Sequence, residues 1–520
     1  LLVTLVQPPQ LISPTNYIST IAIPPLGLAY LASSARDAGH GVKTVDAIGE
    51  ALEHIWEFDD GHGVWLRGLE FEALLDRIDP ESDVIGVGCM FSCMWPPVRV
   101  LLRKMRERFP DAVIVLGGEH ASAEPEQVLA ETPVDVCVIG EGEETLVEIL
   151  DRLEGGRPLD DVAGVVIRGE GGAPLKNPAR ARIRDLDAIP LPDWELFPVE
   201  TYIDYASPHG AVRGRSMPML ATRGCPYQCT FCSSPQMWTT AWRARDPDLV
   251  IAEMEELNER YGATDFHFED LTAVVKRTWI VDFCRKLIDR GHDFTWQLPS
   301  GTRSEAIDDE VAALMVQAGC RNFSYSIESG SPETLKIIKK RIHLDKVHTS
   351  ARASMRAGIR LQVNFILGFP HETWRHALET YREMARCALI GFHEFNCCAF
   401  SPLPNTEAFF ELQETRGLKA TDEFYYGLFG YMDIADYRSW HPRWGHWRLR
   451  AMIYAAYATF YGLNYLVRPW RLFAEVWQYG HRTSQGKLGK LVRGLVRNWK
   501  LQSGARAGSR SGGRKSVPTP

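Results

Sequence analysis

Apolar runs of four to seven residues alternate with amphipathic stretches in two successive blocks of this chain. That alternation restricts each block to a parallel sheet covered by helices. In the first block the runs are LVTLV (2–6), VKTV (42–45), DVIGVG (83–88), AVIVLG (112–117) and VDVCVIG (134–140). Helix-like segments lie near 25–38, 66–78, 96–108, 124–131 and 143–153. In the second block the runs are PMLAT (218–222), TDFHFE (264–269), DFTWQL (293–298), NFSYSI (322–327), LQVNFIL (361–367) and EFNCCAF (394–400). The first block predicts a doubly wound sheet, whose ligands sit at the carboxyl ends of the strands. The second predicts six strand–helix repeats, with functional groups again at the C-terminal strand ends.

A chain of 520 residues accommodates several such domains, each with its own core. Hydrophobic content of 45% and charge of 24% are those of a soluble globular protein. A net charge of −8 gives no case for bulk nucleic-acid binding. The cysteines number 11, an odd count, and the outer ones are scattered. This argues against a disulfide framework and for a reducing, cytoplasmic setting. The opening LLVTLV reads as a strand rather than the apolar core of a leader. No run reaches the roughly 18 apolar residues of a spanning helix.

Several strand ends of the first block carry loop chemistry. One run ends at Asp46, another at Gly117-Gly118-Glu119-His120, a third at Gly140-Glu141-Gly142-Glu143. Pro24-Pro25-Leu26-Gly27-Leu28 opens the first helix. Glycines there let backbone N–H groups approach a bulky ligand. Taken singly, each is equally an ordinary strand-to-helix turn.

Three cysteines, Cys225, Cys229 and Cys232, stand in RGCPYQCTFCSSP just after an apolar run. The spacing C-x3-C-x2-C suits thiolate ligation of an iron–sulfur cluster. A 4Fe–4S cluster held by three cysteines keeps one iron open, and open positions are where metal sites do chemistry. A zinc knuckle normally finds a second ligand pair nearby. Here the next His is His267 and the next Cys is Cys284.

The cysteine spacing and the aromatic Phe231 before the last cysteine resemble the signature of the radical SAM enzymes. In that family the open iron chelates the amino and carboxylate groups of S-adenosylmethionine. The resemblance implies a role for Glu269 and Asp270 on the methionine amino group. It implies Ser300 and Arg303 on the carboxylate or ribose, and Glu328, in an E-S-G-S segment, near the ribose and methionyl moiety. Gly368, in Gly368-Phe369-Pro370, would lie beneath the adenine. Taken singly, Arg303 is equally a surface ion-pair partner and Glu328 equally a helix cap. The first third of the chain resembles the cobalamin-binding domain found ahead of many radical SAM cores. Its candidate cofactor contacts are Pro25, Gly27, Asp46, Gly117, Gly118, Glu119, His120, Gly140 and Glu141. The D-x-H-x-x-G motif of mutase-type cobalamin domains is absent, which implies a cobalt with no domain histidine beneath it.

The expected fold class is α/β: an N-terminal doubly wound cobalamin domain (1–158), a connector (159–213), a partial (β/α)6 radical SAM barrel (214–418), an aromatic helical region (419–500) and a disordered basic tail (501–520). The connector includes a hairpin-like VAGVVIRGEGGAPLKN. The layout resembles the group that includes the anaerobic magnesium-protoporphyrin monomethyl ester cyclase and related carbon and phosphorus methylases. It implies three cofactors: a 4Fe–4S cluster, S-adenosylmethionine and cobalamin. It also implies reductive cleavage of S-adenosylmethionine to a 5′-deoxyadenosyl radical, fed by an external donor such as flavodoxin or ferredoxin. Methylation of an unactivated carbon of a small-molecule substrate is the first expectation. A radical oxidative cyclase or rearrangement enzyme is the second, and a non-catalytic electron-transfer protein the third. From His481 onward there are ten Lys or Arg and no Asp or Glu. Leu488, Leu491, Val492, Leu495, Val496 and Trp499 fall on one helical face there. Weak peripheral attachment to an anionic membrane surface and a plain solvated helix are equal readings of this stretch.

Overall fold

The computed structural model describes residues 1–480 apart from 14, 17, 304 and 434–436, and beyond them only 496, 499 and 500. The first sheet has seven strands: β1 (Leu2–Gln7), β2 (Gly41–Asp46), β3 (Val84–Gly88), β4 (Val113–Gly117), β5 (Val136–Val138), β6 (Val165–Arg168) and β7 (Pro174–Lys176). Their order is β7-β6-β5-β4-β3-β1-β2. The five strands from β1 to β5 are parallel, and β6 and β7 are antiparallel additions. The order reverses between β1 and β3, which leaves a crevice at the carboxyl ends of those strands. Helices α1 (Leu26–Asp37), α2 (Trp95–Arg108), α3 (Glu119–Ala123), α4 (Pro125–Glu131) and α5 (Glu143–Glu154) cover the two faces. Val3 and Leu5 pack with Leu28 and Ala32 of α1 and Ile149 of α5, whereas Val6 packs with Leu101 and Met105 of α2. Burial on both faces is why these strands read as unbroken apolar runs.

The sequence reading needs adjusting at three places. The hairpin assigned to the connector pairs with β5, Val136 opposite Ile167, so the sheet runs past residue 158. Its outer strand β7 is exposed and forms a short edge, a form that discourages further pairing. Gln10–Ile12, Ile55–Phe58 and Val64–Arg67 form a small antiparallel sheet, with Asp60-Gly61-His62 in its turn. The segment near 66–78 is helical only over Phe71–Leu75.

Six parallel strands follow in sequential order: β8 (Ser216–Met219), β9 (Asp265–Phe268), β10 (Thr295–Thr302), β11 (Cys320–Glu328), β12 (Arg360–Leu367) and β13 (Glu394–Ala399). Phe266, Trp296, Phe323 and Val363 face the helical layer, where they join one buried cluster. The alternate residues are polar and bond across the concave face: His267 to Asp265 at 2.9 Å, Gln297 to Asp265 at 2.9 Å, Asn364 to Ser326 at 3.3 Å. This period of two gives the barrel an apolar outside and a polar lumen.

The C-terminal helices divide between the two units. Helix α6 (Asp422–Phe429) joins the core of the first sheet through Phe424, Tyr425 and Leu428. Helix α7 (His446–Val467) lies along the barrel's edge strand β13, where Phe460 stacks on Phe395. The hydroxyls of Tyr461 and Tyr457 accept from the N–H groups of Phe395 and Cys397 at 3.4 and 3.3 Å. An edge strand that would otherwise offer free donors is thus covered. Helix α8 (Pro469–Gly480) follows. The remainder of the basic tail falls outside the described residues, apart from the exposed Val496, Trp499 and Lys500.

Candidate active site

The cysteine loop leaves a short hairpin in which Thr222–Arg223 pairs with Arg243–Ala244. Cys225, Cys229 and Cys232 are free and half-buried. The loop is tied down at Thr230, whose N–H donates to Ile338 at 3.1 Å and whose carbonyl accepts from Ala408 at 3.0 Å. Burial pushes the Cys232 thiol up to about 12 and raises that of Cys229 as well. Such thiols ionise when a cation arrives to take the charge. Three soft donors on one fixed loop fit an iron–sulfur cluster, and no fourth ligand among the described residues completes a zinc site.

Residues at the barrel's strand ends gather around this loop. Phe231 packs edge-on against Phe369, at 5.6 Å between ring centroids, and Phe369 against Phe400 at 5.1 Å. Gly368 holds φ at 92°, as the turn after β12 requires. The N–H groups of Gly368 and Phe369 donate to buried Glu372 at 2.7 and 3.1 Å. Glu269 directly follows β9, with Oε2 held by His209 at 2.9 Å and by Ser300 at 3.4 Å. Its Oε1 is buried and has no partner, which fits a site for a ligand amino group. Arg303 lies over the ring of Tyr227, inside the cysteine loop, at 3.8 Å, and donates to Glu305 at 2.8 Å. Glu328 holds φ at 69° where the β11–β12 register slips, and pairs with Lys340 at 2.9 Å. A non-glycine residue in that region marks a constrained position. Asp270 departs from its expected role. Its carboxylate is turned to the Ala221 and Thr222 N–H groups and the Thr222 hydroxyl. It therefore anchors the strand that leads into the cysteines rather than facing a cofactor.

The carboxyl edge of the first sheet faces the same loop. Added Cβ atoms at Gly27 and Gly117 would meet open space. Met90 and Phe91, just beyond β3, are 54% and 59% exposed. This open, apolar-rimmed edge fits a broad macrocycle such as cobalamin. Pro25 sits at the N-cap of α1 beside Gly27. Gly118 holds φ at 103°, with its Cβ position 2.6 Å from the Cys89 carbonyl oxygen, so only glycine fits there. Glu119 bonds to Ser233, one residue past the last cysteine.

Four of the other expected contacts serve the protein itself. Asp46 is buried; the Tyr202 hydroxyl lies 2.9 and 2.8 Å from its two oxygens, and the Gly49 N–H donates to it at 3.0 Å. Gly140 is backed by the Arg182 guanidinium, 2.1 Å from its Cβ position. Glu141 accepts from the Ile183 N–H at 2.9 Å and from Arg223 at 3.1 Å. His120 lies wholly inside the core, its ring centroid 4.6 Å from that of Trp95 and 5.5 Å from that of Tyr425. Burial holds its imidazole down to about 3, so it is neutral at physiological pH. Replacing His120 by Ala should lower stability by about 2–4 kcal/mol through the cavity left in the core. The visible spectrum of bound cobalamin should not change, and a shift in that spectrum would place the histidine on cobalt after all.

Residue types alone did not single out Arg223, Lys340, His209 or Tyr431. Arg223 precedes the first cysteine by two positions and pairs with Glu141 at 3.1 Å and Glu143 at 2.5 Å. It also lies 5.2 Å over the ring of Tyr30. It therefore joins the two sheets at the cysteine loop. Tyr431 stands among Cys398 at the end of β13, Cys93 and Glu119, on the wall between the units.

Glu372 gives this region a pH dependence. Burial pushes its carboxyl up to about 8, against an ordinary 4.5, and its two backbone donors only partly offset this. The folded chain thus keeps a proton that the unfolded chain has released. The stability this group contributes is present below about 4.5 and is lost as pH rises through about 8. Glu372→Gln should flatten that decline in melting temperature between about pH 5 and 9. Parallel curves for the two proteins would mean that Glu372 is ionised in the fold.

Comparison with known families agrees with this geometry. Residues 219–384 match the Radical SAM superfamily and residues 21–150 the B12 binding domain. An uncharacterized methyltransferase of Pyrococcus horikoshii is 31% identical over 406 residues, covering 78% of this chain and 81% of the relative. The cytidylyl-2-hydroxyethylphosphonate methyltransferase of Streptomyces wedmorensis is 28% identical over 74% of this chain and 76% of its own length. The anaerobic magnesium-protoporphyrin IX monomethyl ester cyclase of Rubrivivax gelatinosus is 29% identical over 75% and 66%. The radical S-adenosylmethionine methyltransferase TsrM of Kitasatospora setae, solved with cobalamin and a [4Fe-4S] cluster, superposes with a TM-score of 0.65 at 19% identity, covering 88% of this chain and 90% of that one. The chain belongs to the radical SAM superfamily of enzymes, in the branch that carries a B12-binding domain.

Proposed function

We propose that this enzyme methylates an unactivated carbon of a small-molecule substrate held between its two sheets. When bound, the cluster supplies an electron that cleaves S-adenosylmethionine, and cobalamin carries the methyl group. The chain's own residues do the rest. Cys225, Cys229 and Cys232 hold the cluster. Glu269 receives the amino group of S-adenosylmethionine, and Phe231 with the Gly368 turn shapes the adenine side. The edge from Gly27 to Gly117 and Glu119 receives the cobalamin. Tyr431 excludes water from the wall between the units. One observation carries the reading: the open edge of the first sheet faces the cysteine loop and is fixed to it through Arg223. The electron comes from an external one-electron donor of the flavodoxin or ferredoxin kind.

Anaerobically reconstituted protein, given reductant and S-adenosylmethionine, tests the reading. Methylation requires 5′-deoxyadenosine and S-adenosylhomocysteine to form together. 5′-Deoxyadenosine alone would favour the cyclase or rearrangement reading. Neither product would leave a non-catalytic cluster protein.

Weak attachment to an anionic membrane surface completes the proposal. No described helix is long and apolar enough to cross a membrane. Leu466, Trp470 and Phe473, at the α7–α8 junction, are 78%, 63% and 73% exposed. Exposed apolar ridges next to basic chain suit a membrane interface. Each basic residue near the surface adds on the order of 1 kcal/mol. Deleting residues 481–520 should release the enzyme from anionic vesicles at low salt and leave 5′-deoxyadenosine formation intact. Equal flotation of both proteins would remove the tail as an anchor.

A further inference from the structure

The cysteine loop has neighbours on two flanks. Just past Cys232, Ser233 bonds to Glu119 of the first sheet, the side assigned to cobalamin and substrate. At Thr230 and Tyr227 the loop abuts residues 336–341, KIIKKR. The N–H of Thr230, the residue next to Cys229, donates to the Ile338 carbonyl at 3.1 Å. Arg303, which lies 3.8 Å over the Tyr227 ring, donates to the Arg341 carbonyl. Lys340 is close enough to influence Cys229. Residues 338–341 therefore back the cysteine loop directly, at both of these points.

The segment closes the short helix Pro332–Ile337. Lys339 takes φ of 53°, and the Lys340 N–H returns to the Leu335 carbonyl at 2.9 Å. That left-handed turn ends the helix. It leaves Lys340 turned inward, while Lys336, Lys339 and Arg341 are exposed. The helix dipole favours a basic residue at this end but does not account for Arg341 beyond it. The carboxylates bonded into this region are engaged: Glu328 with Lys340 at 2.9 Å, Glu407 with Lys339 at 2.6 Å, Glu333 with His376 at 3.1 Å and Glu305 with Arg303 at 2.8 Å. The Lys339 pair is exposed, and such pairs hold a lysine weakly. Lys336 and Arg341 form no ion pair among the described residues. Ile337, next to Lys336, is 45% exposed. A chain of net charge −8 thus sets a basic patch with an apolar centre against its cysteine loop.

We propose that residues 336–341 are the docking surface for the electron donor, and that this donor is a small flavin-carrying protein with an acidic rim. The proposal rests on the radical SAM reading above, whose electron it supplies. One electron leaves the reduced flavin and enters the oxidised cluster; no bond in this chain forms or breaks. Electron transfer weakens steeply with distance, which favours a face in direct contact with the cysteine loop. Transient redox complexes are small, and complementary charge governs how fast they form. Lys336, Lys339 and Arg341 supply the positive side. Ile337 offers an apolar centre that suits the exposed edge of a flavin. Lys276 provides a contrast: it lies 5.5 Å from the Trp242 ring, by the hairpin that leads into the loop.

The test compares full-length, cluster-loaded wild type with a double variant, Lys336→Glu with Arg341→Glu, and with Lys276→Glu, all without oxygen. Two quantities are measured: affinity for oxidised flavodoxin, and the initial rate of 5′-deoxyadenosine formation driven by reduced flavodoxin or by dithionite. Wild type must form 5′-deoxyadenosine with dithionite; if it does not, the radical SAM reading fails and the proposal with it. The double variant should bind flavodoxin about tenfold more weakly at low salt, and its flavodoxin-driven rate at low donor concentration should fall by a similar factor. Both deficits should shrink at about 1 M salt, where charges are screened beyond about 3 Å. Iron content and the dithionite-driven rate should match wild type, because both side chains are exposed. Lys276→Glu should bind flavodoxin like wild type. If the double variant loses iron, Lys336→Gln with Arg341→Gln decides in its place, with a smaller loss of the same pattern. Unchanged flavodoxin affinity in the charge-altered pair, or a larger loss in Lys276→Glu, would overturn the proposal. So would a variant slowed only with reduced ferredoxin and not with flavodoxin.

Discussion

Cys229→Ala protein, reconstituted anaerobically with iron and sulfide, should contain no 4Fe–4S cluster and form no 5′-deoxyadenosine. The expected loss exceeds the roughly 10–100-fold of an altered outer-shell partner, because a ligand itself is removed. Two thiolates would remain on a loop that offers no replacement donor. Lys340, close enough to influence Cys229, pairs with Glu328 at 2.9 Å and cannot ligate iron. Cys397→Ser and Cys398→Ser are the controls. Cys397 is buried in β13 and Cys398 bonds to Asn396 at 3.3 Å, so neither belongs to the loop. Iron content and the absorbance of the reconstituted proteins decide the matter. Cluster retained by Cys229→Ala, or lost equally from Cys398→Ser, would overturn the assignment.

Arg223→Ala should produce the second large effect, on stability and on cofactor retention together. Its guanidinium neutralises Glu141 and Glu143, all three side chains being 10% exposed or less. Removing one partner of a buried ion pair costs about 3–5 kcal/mol, since the other charges stay buried without compensation. The loss of the contact with the Tyr30 ring adds to this. Calorimetry should show the melting temperature falling by several degrees, and cobalamin should dissociate more readily because the open edge is no longer fixed against the cysteine loop. Arg223→Lys should recover only part of both effects, having charge but no planar fork. A wild-type melting profile for Arg223→Ala would mean that the sheets are held together elsewhere.

Both parallel sheets were legible in the sequence for a reason of period. Strands buried on two faces, such as Val3–Val6 and Ile85–Val87, leave long apolar runs that short-range reading detects. Barrel strands such as Asn322–Ile327 alternate polar and apolar residues, because one face lines a polar lumen. The hairpin from Val165 to Lys176 was recognised, but its docking on β5 was not, since local composition does not say which edge a hairpin joins. Likewise the aromatic richness of 424–432 was evident, yet its division between the first core, which takes Phe424, Tyr425 and Leu428, and the surroundings of Cys398, which take Tyr431, depended on packing.

The candidate site divides along the same line. The three cysteines stood out as candidates by spacing alone, because ligands of one cluster on one loop must be close in sequence. The strand-end residues were located by position, but which way each side chain turns is a tertiary matter. Asp270 and Glu269 are adjacent residues that point to different tasks, one to the Thr222 backbone and one to the lumen. His120, Asp46 and Glu141 sit at the expected strand ends, and the packed structure uses all three for its own cohesion. The sequence by itself determined the two α/β blocks and singled out the three cysteines as candidate cluster ligands, since both depend on local period and spacing. Only the tertiary structure decided that Arg223 bridges the sheets and that His209 reaches Glu269. Those contacts span 80 and 60 residues of chain, and such separations leave no local pattern to read.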